Sequence, residues 1–120
     1  LAAQGGITGA VARWLEEYRQ AWSTGDSVKL GRMLGLNEAE VWSLQHVFEE
    51  RRDLRVSFDE LRIEPVDGAL ARATYIRRDR WVDRGTGQPR LSSAAYEQTF
   101  RLAIRIPAKY NLDTLSRRIK

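Results

Sequence analysis
The sequence predicts an α+β fold in which N-terminal helices pack on one face of a strongly curved antiparallel β-sheet. Three observations carry this expectation. Apolar residues recur at three- and four-residue steps through roughly the first fifty positions; after Asp53 the period switches to two; and the two-period segments follow one another through turn-rich breaks, as in a meander. The strands are long and apolar on one side, and a parity slip in the first of them calls for a bulge, hence the strong curvature.

The helices come first. Residues 1–6, Leu-Ala-Ala-Gln-Gly-Gly, offer nothing to pack and read as a linker or expression remnant. From Ile7, a single helical face carries Val11, Trp14, Leu15, Tyr18 and Trp22, with Thr8 as the expected N-cap and Ser23-Thr24-Gly25-Asp26 as the stop. A second, short helix is expected over Ser27 to Leu34, burying Val28, Leu30 or Met33, and Leu34, and ending at Gly35. Asn37 with Glu40 has capping-box spacing and opens a third helix, whose apolar face is Val41, Trp42, Leu44 or Gln45, and Phe48.

The strands follow. Leu54, Val56 and Phe58 alternate, then Leu61 and Ile63 alternate on the opposite parity, so a bulge at Asp59-Glu60 restores one buried face. Val66-Asp67-Gly68 turns the chain into a strand from about Ala69 to Asp83, with Ala71, Ala73 and Tyr75 on one parity and Leu70, Ile76 and Val82 on the other. After the turn Gly85–Pro89, a third strand places Ala94, Tyr96, Gln98, Phe100, Leu102, Ile104 and Ile106 on one face. Pro107 ends it, and Tyr110 to Leu115 reads as a last strand. Residues 7–117 are expected to form one domain and 118–120 a tail.

Composition narrows the function classes. A chain of 120 residues, 42% hydrophobic and 30% charged, has the makeup of one globular domain. It has no cysteine, which excludes disulfides, zinc–thiolate sites and thiol nucleophiles, and its single histidine excludes a multi-histidine metal site. No cofactor is implied. No apolar run is long enough to span a bilayer, so no membrane insertion by this segment is expected. The net charge is +4, with lysine only at Lys29, Lys109 and Lys120 and arginine elsewhere, an arginine bias that base composition explains better than anion binding does. The start at Leu1 points to a piece of a longer protein, and its compartment is left open.

Several segments in order carry a resemblance. They are Trp14-Leu15-Glu16-Glu17-Tyr18-Arg19-Gln20-Ala21-Trp22-Ser23-Thr24-Gly25-Asp26, then Leu54 to Ile63, Asp67-Gly68, Ala71-Arg72-Ala73-Thr74-Tyr75, Thr99-Phe100-Arg101-Leu102 and Tyr110 to Leu115. Together, over about Ile7 to Arg117, this order resembles the nuclear-transport-factor-2-like superfamily, which includes ketosteroid isomerase and polyketide-cyclase-like domains. Tyr110 stands where a tryptophan is more usual. The narrower resemblance is to accessory domains of bacterial multidomain proteins, such as those trailing kinases and transpeptidases. The resemblance implies a cone-like α+β barrel whose open end can hold a small molecule, and a fold that isomerases, cyclases, dimerisation modules and pure binders share. It also implies pairing through the outer sheet face, where Ser93, Ala95, Thr99 and Ala103 lie between arginines.

A proton-transfer enzyme on this fold needs an acid or base in the cone. His46 has the right intrinsic pKa but falls off the Val41, Trp42, Phe48 stripe by helical phase, as a structural histidine would. Tyr18, Tyr75 and Tyr96 could supply a hydroxyl. Among the carboxylates only Asp79 continues the Ala71, Ala73, Tyr75 parity. The family's catalytic set has no recognisable match here, so the candidates for catalysis are His46, Tyr75, Asp79 and Tyr96, and the leading expectation is a non-catalytic interaction or small-ligand-binding domain.

The ligand-binding candidates are Tyr18, Tyr75, Arg77, Trp81, Tyr96 and Gln98. Gln98 is the most informative of them, because a polar residue on an apolar strand face needs a hydrogen-bond partner. The stretch Arg77 to Gly87 is expected to be the far half of a strand and its turn, with Arg77, Asp79 and Trp81 on the inner parity and Arg78 and Arg80 facing away. Its readings are a solvated tip, a contact with a protein partner or a small apolar or anionic ligand, or a nucleic-acid surface. The interleaved Asp79 and Asp83 argue against the last. The expected partners are other domains of the parent chain, a protein partner, or a second copy in a homodimer.

Overall fold
The fold was established from a computed structural model. The structure describes residues 6–105 and 109–118, with side chains described as far as residue 102. Three helices, α1 (Gly6–Thr24), α2 (Ser27–Leu34) and α3 (Glu38–Glu50), precede four strands, β1 (Arg51–Asp67), β2 (Leu70–Asp83), β3 (Pro89–Arg105) and β4 (Lys109–Arg118). The strands form one antiparallel sheet in the order β1-β2-β3-β4, with β1 and β4 at its edges. The α+β class is therefore as expected. Closure into a barrel is not: the sheet is open, because a four-strand meander leaves its first and last strands without each other as partners.

Local chemistry sets the element boundaries. Asp26 caps α2 by accepting from Lys29 N at 3.0 Å, and Gly35 ends that helix in the left-handed conformation at φ 67°. Asn37 and Glu40 form the expected capping box at α3, each side chain accepting from the other's backbone N–H at 2.8 and 3.0 Å. The β1–β2 turn is held by Asp67 Oδ1, which accepts from Ala69 N at 2.7 Å.

Other expectations need correction. Thr8 is not an N-cap, since α1 already begins at Gly6. Val28 is 55% exposed, because the inward stripe of α2 is Ser27, Leu30 and Gly31, with Leu34 half-buried. Trp42 is 63% exposed: Val41, Leu44 and Phe48 turn inward at the i, i+3, i+7 spacing, and the indole lies instead against the His46 ring with centroids 4.2 Å apart. Within β1, Glu60 takes a left-handed φ of 54° at the position expected to bulge, but only Ile63 regains partial cover beyond it; Leu61 stays exposed. Three strands outrun their apolar alternation: β1 starts at Arg51, β3 at Pro89, and β4 runs from Lys109 to Arg118. Residues 1–5, Ile106 and Pro107 lie outside the described residues, as do the side chains of Ala103 and Ile104.

The chain divides into two compact units. One comprises the described parts of Leu1–Leu15, Asp59–Ile76 and Ala94–Lys120; the other comprises Glu16–Phe58 and Arg77–Ser93. In the first unit the core is Ile7, Val11 and Leu15 of α1 with Ala71, Ala73 and Tyr75 of β2 and Phe100 of β3. Alanines at two successive inward positions of β2 leave room for the large rings beside them: Trp14 meets Phe100 edge-on at 5.1 Å. Strand β4 pairs with β3 in a register that sets Gln98 opposite Ser116 and Phe100 opposite Thr114.

In the second unit Tyr18 and Ala21 of α1, Leu30 of α2, and Leu54 and Val56 of β1 are buried. The helix is tied to the strand edge as well as packed on it. Ser23 Oγ accepts from Val56 N at 3.1 Å, while Arg19 Nη1 donates to Val56 O at 3.3 Å. Tyr18 sits between Trp22 and Phe58, each ring centroid 6.3 Å away, and Trp22 reaches Phe48 at 5.5 Å.

Candidate functional site
In the second unit, strand alternation puts Arg77, Asp79 and Trp81 on one face of β2, and this spacing creates an ion pair within the strand. Arg77 donates through Nε and Nη2 to the two oxygens of Asp79 at 2.8 and 3.0 Å. Asp79 is 7% exposed, and this fork supplies two donors to its carboxylate. The Arg77 guanidinium also lies 4.1 Å from the centre of the Trp22 ring. Arg51, at the junction of α3 and β1, repeats the pattern: its Nη1 is 3.8 Å from Asp79 Oδ2, and its guanidinium is 4.3 Å from the centre of the Trp81 ring. The result is one carboxylate between two guanidiniums, each laid on a tryptophan.

In the first unit, β2 and β3 bring Tyr75, Tyr96 and Gln98 together. The Tyr75 hydroxyl donates to Gln98 Oε1 at 2.5 Å, and the Tyr75 and Tyr96 rings stack with centroids 5.8 Å apart and planes 21° apart. Gln98 is 0% exposed, and its Nε2 finds no acceptor among the described residues. The hydrogen-bond partner expected for Gln98 is thus a tyrosine, and it engages only the carbonyl end.

No protein-family model matches this chain, and no curated protein matches it.

The sequence-derived candidates thus fall in both units. Tyr75, Tyr96 and Gln98 belong to the first; Tyr18, His46, Arg77, Asp79 and Trp81 belong to the second. His46 is exposed on α3, with Nδ1 3.2 Å from Glu49 Oε1. Tyr18 is buried among aromatic rings.

The second unit also holds an open cleft of about 660 Å³ whose walls include Ser23, Gln45, Phe48, Arg51, Asp53 and Arg84. Sequence reasoning named none of these six as a site residue. Arg51 and Arg84 lie at an element junction and in a turn, where no periodicity reveals which way a side chain points. The turn itself is ordered by Asp83, whose Oδ1 accepts from Thr86 N at 3.0 Å; that backbone hydrogen bond holds its carboxyl below the ordinary carboxylate range. Among the described residues no helix is long and apolar enough to cross a membrane.

Proposed function
We propose that this chain is a non-catalytic small-ligand-binding and interaction domain of a larger protein, of the nuclear-transport-factor-2-like kind, with its sheet curved into a cone. The observation that carries the ligand-binding reading is the buried Gln98 amide. A buried N–H donor without an acceptor costs about 1–3 kcal/mol, and such groups are rare in folded proteins. A bound molecule bearing a carbonyl or carboxyl oxygen would supply the acceptor, and the stacked Tyr75 and Tyr96 rings suit a flat, largely apolar ligand body. Asp79, the inward carboxylate that an isomerase-like reaction would recruit, is instead held by Arg77 and Arg51 as a structural anion. That supports binding over proton transfer.

Saturation-transfer NMR with benzoate, benzamide and acetophenone, and toluene as the control, tests this reading. The carbonyl-bearing probes should bind more tightly than toluene, and Gln98→Leu should erase the difference while leaving the circular dichroism spectrum intact. Equal binding of all four probes, or unchanged binding by the variant, would overturn it. We further propose that the domain forms a homodimer through the sheet face carrying Ala95 and Thr99. A single monomer mass by light scattering at high protein concentration would exclude the dimer.

A further inference from the structure
The arginines of the Arg77–Arg84 stretch divide into two kinds. Arg77 is occupied by Asp79 and Trp22, whereas Arg80 is exposed and holds no ion pair among the described residues. In the second unit, the three adjacent strands β1, β2 and β3 bring Arg80 beside Arg55 and Arg90 around an open depression of about 360 Å³, whose lining also includes Trp81, Val82 and Leu91. All three arginines are exposed, and Leu91, next to Arg90, is 68% exposed. Asp53 is the acid in the lining, and it is 4.0 Å from Arg52. Three arginines stand against one carboxylate in the lining; outside it Asp83 interacts with Arg90, and the balance of the depression remains positive.

We propose that this depression is a docking site for an acidic peptide segment of a partner protein, with one apolar side chain set between carboxylates. Each part of the surface matches a part of that occupant. The guanidinium forks of Arg55, Arg80 and Arg90 present paired N–H donors that fit carboxylates. Leu91 and Val82 offer aliphatic surface in the lining, and the depression has room for one anchoring side chain.

Two other occupants fit less well. A single-stranded nucleic acid needs open aromatic faces for its bases, but the Trp81 ring is already covered by the Arg51 guanidinium at 4.3 Å. A second copy of the same surface would set arginine against arginine. The proposal does not rest on ligand binding at Gln98, which belongs to the other unit, so either can fail without the other.

Fluorescence anisotropy of the intact chain tests it with a short labelled peptide of alternating glutamate and aspartate around a central leucine. Binding should weaken with added salt and fall about tenfold or more in the Arg55→Ala, Arg80→Ala double variant, the loss expected for two charge-assisted contacts. Leu91→Ser should weaken it roughly fivefold, the effect of exposing one aliphatic anchor. Arg78→Ala, outside the depression, should leave it unchanged. No binding of the peptide, equal loss in Arg78→Ala, or tighter binding to an oligothymidylate or to phosphatidylserine vesicles than to the peptide would overturn the proposal.

Discussion

The Tyr75 hydroxyl donates its proton to the Gln98 carbonyl oxygen inside the first unit, while the amide nitrogen of the same glutamine has no acceptor among the described residues. The bond is short at 2.5 Å and fully enclosed, so removing the hydroxyl strips the carbonyl oxygen of that donor in surroundings closed to bulk water. Tyr75→Phe should therefore lower stability by about 1–3 kcal/mol in urea denaturation. Gln98→Leu removes the unmet amide nitrogen but takes from the Tyr75 hydroxyl the carbonyl it donates to, so it too should lower stability. In the double variant the two losses should fall short of their sum, because the second change removes what the first left unsatisfied. Strict additivity would mean that the pair is not coupled.

Asp79 gives the second prediction. Its carboxylate is nearly enclosed and is the partner of Arg77, whose side chain is itself only 11% exposed. Asp79→Ala strands the guanidinium and should cost about 3 kcal/mol or more, while replacing both residues by apolar ones, Arg77→Met with Asp79→Leu, should recover much of the loss. The check is the midpoint of chemical denaturation across the three variants. A loss from Asp79→Ala below about 1 kcal/mol, the range of exposed pairs, would show that the pair is solvated.

Periodicity reaches some features of this molecule and not others. The α2 boundaries, the Asn37–Glu40 capping box and the inward parity of Ala71, Ala73 and Tyr75 were legible because each rests on chemistry within a few residues. Parity also indicated that Arg77 and Asp79 share a face, and so could meet as an ion pair. It could not show that Arg51, 26 positions before Arg77, would approach the same carboxylate, or that Trp22 would serve as the platform for Arg77. Those relations depend on how α1, the α3–β1 junction and β2 come together in the second unit. Trp42 misled for a related reason. Its size marked it as core, but side-chain direction around a helix is fixed by the stripe that packs, and that stripe is Val41, Leu44 and Phe48.

Gly31 of α2 lies against Val41 of α3 in the second unit. A Cβ added there would lie 2.6 Å from Val41 Cγ2, closer than side chains tolerate. Alanine is intrinsically better in a helix than glycine by about 1 kcal/mol, and overpacking costs about 1–3 kcal/mol, so the clash should win. Gly31→Ala should lower the thermal midpoint in the parent chain. In a Val41→Ala background, where the obstructing methyl groups are gone, the same substitution should raise it. The reversal of sign is the diagnostic result, and a stabilising Gly31→Ala in the parent chain would rule the close approach out.

Glu16 gives the pH dependence. Its carboxylate accepts from Arg19 at 2.7 and 3.0 Å and from Gln20 at 2.9 Å, and these bonds, Arg19 first, pull its pKa from the ordinary 4.5 down to about 2. A carboxylate whose pKa is lower in the folded chain stabilises the fold above its unfolded value. That contribution is therefore complete at neutral pH and declines as pH falls from about 4.5 towards 2. The pair is partly exposed, with side-chain exposures of 32% for Arg19 and 54% for Glu16, so solvent screening holds its worth below about 1 kcal/mol. Arg19 also reaches Val56 O on β1, so loosening the Glu16 clamp should also loosen the tie between α1 and that strand. Glu16→Gln should thus unfold at lower urea than the parent chain at pH 7, and the two curves should converge near pH 2. A gap that persists undiminished at low pH would assign the effect to packing of the side chain and not to its charge.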